Sequence, residues 1–183
     1  MIKALGKILI YASSNKWSPS CSSELNYLLG FLVEIVKIIS ALLDRPKEDI
    51  LNLKQVLSQI LESSFEILII YLKIEPKNTR EDELSLKIQE QSNKKLKDTK
   101  IEVSLKLVKL VKKISEASDA LDRKHDIKLI TKSNITNIYR LVIECIRQDE
   151  SVKKLFLKRM YLREILRLDL RVSIDSKPYS DLI

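Results

Sequence analysis

"YLLGFLVEIVKIISALL", residues 27–43, lies either in a membrane or in a protein core, and the choice decides the fold. Glu34 and Lys37 sit near its centre. Each costs about 2.5–3.5 kcal/mol at the middle of a bilayer. The run is also short, since a span needs about 20 apolar residues. At i,i+3 the two charges pair instead on the rim of a largely buried helix in a soluble bundle. The stretch is therefore expected to form a central helix from about Ser22 to Leu43, apolar on most faces.

Composition agrees with helices. The 183 residues include two glycines, Gly6 and Gly30, and four prolines. Tight hairpin turns and phosphate-cradling loops need backbone without Cβ, and there is almost none to build them from. A hydrophobic share of 45% suits one folded domain with a proper core. Cys21 and Cys145 lie far apart in sequence, as expected of two buried free thiols in a reducing compartment.

On the N-terminal side, Ile2, Leu5, Ile8, Leu9 and Ala12 mark a short helix. Its apolar run is too short for the h-region of a signal peptide, so a cytoplasmic protein is expected. On the C-terminal side, "DRPKED", residues 44–49, restarts a helix. Pro46 suits a first turn, and Glu48 and Asp49 complement the positive end of the dipole. This helix runs through Leu53, Leu57, Ile60, Leu61 and Leu68 until Pro76 stops it.

Residues 75–83, "EPKNTREDE", then read as a linker between an apolar half (1–74) and a basic half (84–183) of one domain. Residues 84–100 carry sparse apolar positions and predict an exposed or frayed helix. Positions 101, 105, 108, 111 and 114 predict a helix to about Leu121; "IEVSLKL", residues 101–107, also alternates with period 2, so a short strand is the alternative. "DRKHD", residues 122–126, reads as a loop, and Ser133 as the cap of a helix with Ile135, Ile138, Tyr139, Val142 and Ile146 on its apolar face. A last helix starts near Ser151. In "RLDLRVSI", residues 167–174, Leu168, Leu170, Val172 and Ile174 alternate, which keeps a strand open there; the tail after Asp175 is expected to be loose. No fixed-period repeat is present. The expected fold is an all-α bundle of five to seven helices, with central packing from the helices at 22–43 and 46–75.

Net charge is +8, and its distribution is uneven. Residues 1–93 hold 11 basic and 12 acidic side chains, whereas residues 94–183 hold 22 and 13. The whole excess lies in the second half, which suggests a cationic contact surface. One cluster, Lys94 to Lys113, has eight lysines against Asp98 and Glu102. The other, Lys153 to Arg171, places Arg159, Arg163, Arg167 and Arg171 at every fourth position, with Glu164 the acidic residue best placed to relieve them. Like charges at i,i+4 destabilise a helix by a few tenths of a kcal/mol per pair, so a compensating partner is expected. Arginine's planar fork matches phosphate oxygens. Phe156 and Met160 fall in the same angular sector and offer a surface for a base or a partner side chain. Candidate contacts to a nucleic-acid backbone are Arg159, Arg163 and Arg167, flanked by Arg140 and Lys158.

Catalytic motifs are missing from the sequence. His125 is the one histidine, and no glycine-rich phosphate loop or nucleophile elbow occurs. The expectation is a non-enzyme with no metal, cofactor or small-molecule substrate.

"LITKSNITNIYRLV", residues 129–142, resembles a stretch in the small helical subunit of type III CRISPR effector complexes. That family opens a helix with a Thr-x-Ser-Gln-Ile-Arg-like motif. Thr131, Ser133 and Ile135 match it; Asn134 stands for the glutamine and Thr136 for the arginine, with Arg140 one turn later. "MYLRE", with Tyr161 and Arg163, is similar to the family's later tyrosine–arginine pair, at closer spacing. The resemblance covers residues 125–166 at most. It implies a non-catalytic subunit packing in copies along a guide RNA–target RNA duplex. Charge alone points to a basic helical module that contacts a nucleic-acid backbone without reading its sequence. Taken with the resemblance, the expected partners are RNA, more than DNA, and other protein subunits of a complex. The alternative is a helical scaffold whose basic ridge binds an acidic protein.

Overall fold

The computed structural model describes residues 20–74, 83–157, 161, 163 and 165–167. Five helices fall within them: α1 (Ser20–Leu42), α2 (Lys47–Lys73), α3 (Glu83–His125), α4 (Lys132–Gln148) and α5 (Glu150–Phe156). Tyr161, Arg163 and residues 165–167 are helical again. Among the described residues there is no strand, and the protein is an all-α bundle. The expected first helix, nearly all of the 75–83 linker, the 168–174 alternation and the tail lie outside the described residues.

The α1–α2 corner closes with the Leu43 and Arg45 amides donating to the Ser40 and Leu42 carbonyls at 3.2 and 3.1 Å. Pro46 then occupies the N-cap of α2 at φ −57°, and Glu48 and Asp49 sit in the first turn as expected. α1 packs on α2 and α3, α4 packs on the same two, and α5 rests on α3 and α4. Four helices thus form a closed ring in which α2 and α3 face each other across a diagonal. The sense of each side can be read from hydrogen bonds. Asn134 of α4 meets Ser58 of α2, and Gln148 meets Leu72, so a 76-residue offset persists from one end of the pair to the other. α2 and α4 therefore run parallel. His125 of α3 bonds the Leu43 carbonyl at 2.9 Å, which brings the C-terminal ends of α1 and α3 together.

The core draws on all four sides. Leu32 and Ile39 of α1, Leu61, Phe65 and Leu68 of α2, Leu107, Ile114 and Leu121 of α3, and Leu141 of α4 are sealed from solvent. Each such side chain contributes about 1.5–3 kcal/mol of apolar burial. The expectation that the helices at 22–43 and 46–75 supply the central packing was too narrow. α1 and α2 are both long and apolar enough to cross a membrane by length and composition, yet each turns a face of leucine and isoleucine into this core. Only the first had been singled out in sequence.

α3 departs most from expectation. It is one helix of 43 residues, where the sequence predicted an exposed or frayed helix over 84–100, a helix to about Leu121 with a short strand at 101–107 as the alternative, and a loop at 122–126. Its buried face includes 96, 100, 103, 107, 110, 114, 117 and 121, spaced in alternating steps of four and three, and is widened by 104, 108, 111, 115, 118 and 119 beside them. That period fits a helix and cannot be met by a strand, so 101–107 is helical. Ile101 and Leu105, expected on the core face, are only partly buried. Residues 122–125, expected in a loop, form the last turn of α3, because Lys124 pairs with Asp44 at 3.1 Å while His125 bonds Leu43. Asp126 then takes φ 56° and stops the helix in the left-handed region that aspartate tolerates.

One member of the buried repeat is a lysine. Lys100 is 7% exposed, and its ammonium donates to the Leu72 carbonyl at 2.8 Å and to the Ile74 carbonyl. A cation at the carbonyl end of a helix satisfies orphan acceptors and complements the dipole. Gln148 donates to the same Leu72 oxygen at 3.4 Å, so one carbonyl joins α2, α3 and α4. Cys145, also in the core, is a free thiol. Burial pushes its pKa from 9.0 up to about 12, with the Ser104 side chain opposing and Glu144 adding to the rise. The unfolded thiol ionises first, so folding stability falls as pH rises through the window from 9.0 to about 12.

Replacing Lys100 with Met keeps the aliphatic stem but leaves two carbonyls without a charged donor, and should cost about 2–3 kcal/mol in chemical denaturation. Unchanged stability would remove Lys100 from this role. In a Cys21→Ser background, a disulfide reagent at pH 8 should label Cys145 no faster than the protein globally unfolds. Rapid labelling of the native state would contradict the burial.

Candidate nucleic-acid interface

The arginine cluster is described in part. Lys158 and Arg159 lie outside the described residues, whereas Arg163 and Arg167 are helical, exposed and one turn apart. Their neighbours explain the orientation. Ile165 is buried and Tyr161 packs against the core, and these two, also one turn apart, face inward. Residues two positions away on a helix point about 200° round, so Arg163 and Arg167 face outward. The helical alternative is thereby met as far as Arg167. Phe156, expected beside the arginines as a stacking surface, is buried in the core and cannot serve that way.

Tyr161 also links the two basic clusters. The Lys112 ammonium lies 5.9 Å from the centroid of its ring, within the range of a cation–π contact. Lys112 itself pairs with Glu116 one turn on. The 94–113 cluster, a single block in sequence, divides in the fold into groups with different work. Lys100 is a buried helix cap. Lys112 turns toward the arginine-bearing turn. Lys106, Lys109 and Lys113 project within about 60° of one another. They line a groove of ≈ 460 Å³ between α3 and α1, with Lys37 from the far side. Lys106 pairs with Glu102 at 2.6 Å and Lys37 with Glu34 at 2.7 Å; Lys94, Lys95, Lys109 and Lys113 make no ion pair among the described residues. The groove was missed in sequence, although the 106, 109, 113 spacing carried its phase.

Arg140 stands on α4, exposed, with its guanidinium 3.4 Å from the Asn137 side-chain oxygen. The residues around it that resemble a family motif are engaged in packing. Thr131, rather than the expected Ser133, caps α4 by accepting from the Asn134 amide at 3.2 Å. Ser133 instead donates to the Glu62 carboxylate of α2. Asn134 is wholly buried and donates to the Ser58 hydroxyl at 2.8 Å, fixing the start of α4 against α2. Thr136 is exposed and bonds the Lys132 carbonyl of its own helix. Among the described residues no group of three or more histidine, cysteine or acidic side chains is placed to hold a metal ion.

Compared with known protein families, with curated proteins and with solved structures, the chain matches none of them.

Asn134→Ala should lower stability by about 1–3 kcal/mol, because Ser58 loses its buried partner. Thr136→Ala should stay within about 0.5 kcal/mol of wild type, as surface changes do. Equal effects, read by urea denaturation, would mean that the motif is not anchoring α4.

Proposed function

We propose that the protein is a cytoplasmic, non-catalytic subunit of a larger complex that holds an RNA backbone on the cationic surface around Arg163 and Arg167. The observation that carries this reading is the outward pair Arg163 and Arg167, one turn apart, on a turn that Lys112 of the first basic cluster meets through Tyr161. Arginines in a row on a helix suit successive phosphates, and they contact backbone without reading bases. Arg140, Lys158 and Arg159 are proposed as flanking contacts. The resemblance of residues 125–166 to the small subunit of type III CRISPR complexes points the same way, toward a subunit laid along an RNA duplex. The alternative is a helical scaffold whose basic ridge, the same arginines, binds an acidic protein.

Backbone contacts release counterions, so RNA affinity should fall steeply with salt. Arg163→Ala should weaken binding to unrelated RNA sequences about equally, and should flatten the log–log salt slope by about 0.7–0.9, one phosphate contact. The measurement is a titration of a short RNA duplex at several salt concentrations with both proteins. Indistinguishable binding by wild type and Arg163→Ala would end the proposal.

A further inference from the structure

The groove between α1 and α3 has a chemistry that the RNA reading does not use. Its floor is apolar, built from Leu29, Val33 and Val36 of α1 and Leu110 of α3. Its charged rim is lysine throughout: Lys37 on one side and Lys106, Lys109 and Lys113 on the other. A phosphate backbone would match the rim and waste the floor. An uncharged apolar ligand would do the reverse. An occupant with one apolar face and acidic flanks matches both.

α1 is the helix with surface to spare. Only 39% of its most apolar 18 residues are buried, against 56% for α2, and Val33 on the groove floor remains 43% exposed. Gly30 lies in the same floor, and no close approach among the described residues calls for a glycine there. Its φ is not positive, and a Cβ built there would meet nothing within 4 Å. Glycine in a helix interior is unfavourable relative to alanine, so the fold itself would be better served by a side chain. A missing side chain on an exposed floor lets another backbone approach closely. From Asn26 to Lys37 the α1 wall is about 17 Å long, roughly three helical turns.

We propose that this groove docks an acidic amphipathic helix from a partner protein, with its apolar stripe on Gly30 and Val33 and its carboxylates beside Lys109 and Lys113. A second copy of the chain is a poor occupant, because two molecules of net charge +8 repel. The proposal goes beyond the RNA reading and uses other residues, so either can fail alone.

The test uses the full chain and three labelled 14-residue peptides, read by fluorescence anisotropy. One has a leucine stripe flanked by glutamates, one has lysines in place of the glutamates, and one is the acidic composition scrambled to lose the stripe. The acidic amphipathic peptide should bind at least tenfold tighter than either control. Gly30→Leu fills the floor and should weaken it at least tenfold, with a helical spectrum and melting temperature no lower than wild type and with RNA affinity unchanged. A Lys109→Glu, Lys113→Glu double variant should shift preference toward the lysine peptide. Equal binding of all three peptides, or no effect of a folded Gly30→Leu, overturns the proposal. So does a sedimentation result in which the groove is occupied by a second copy, or displacement of the acidic peptide by phosphatidylglycerol vesicles at equal anionic charge.

Discussion

A single ammonium group sets the relation between the two diagonal helices of this bundle. α2 and α3 face each other across the ring with little direct packing, and Lys100 reaches from one to the carbonyl end of the other. Burying a lysine is costly unless its donors are used, and here the acceptors are the ones a helix terminus leaves over. A leucine at the same place in the seven-residue repeat would allow α3 to slide by one repeat. A charged residue that finds partners at only one height does not. Polar groups at core positions of helical bundles are known to fix register in this way.

Once that register is fixed, the distribution of charge follows. With position 100 turned to the centre, Lys106, Lys109 and Lys113 must face α1 and solvent, and Lys112 must lie toward Tyr161. The same block of lysines therefore serves stability at one point and surface chemistry at the others. Cluster counting cannot separate these functions, because the difference between Lys100 and Lys109 is one of angle. At the opposite end of the ring, Asn134 and Ser58 pin α4 to α2 as Lys100 pins α3.

The helical class and the corner at Pro46 were legible because they rest on local chemistry: two glycines in the chain, a proline at a helix start, acidic residues in the next turn. The phase of α3 was legible in part: Val108, Val111 and Ile114 are buried as expected, whereas Ile101 and Leu105 are half-buried. Its buried face is wide and takes in Lys100, Ser104, Ser115, Ser118 and Asp119, polar residues that carry no apolar signal. The last turn of α3 was misplaced for a different reason, since "DRKH" has no apolar signal and is held helical by Asp44 and the Leu43 carbonyl, far away in sequence. Thr131 won the cap over Ser133 because Glu62 offered the serine a tertiary partner. At the candidate interface the arginine spacing was visible directly, whereas the inward turn of Phe156 depended on packing against the core that no local pattern reveals.

The 43 residues of α3 span about 64 Å. A compact globule of this chain length would be only about 40 Å across. One element therefore outreaches the body that it stabilises, and the molecule has a long axis set by a single rod. Its rotational diffusion must be anisotropic, with end-over-end tumbling slower than spin about the rod. The amide vectors of α3 all lie close to that axis, so they sample the slow mode, and a single correlation time will not describe this protein in solution.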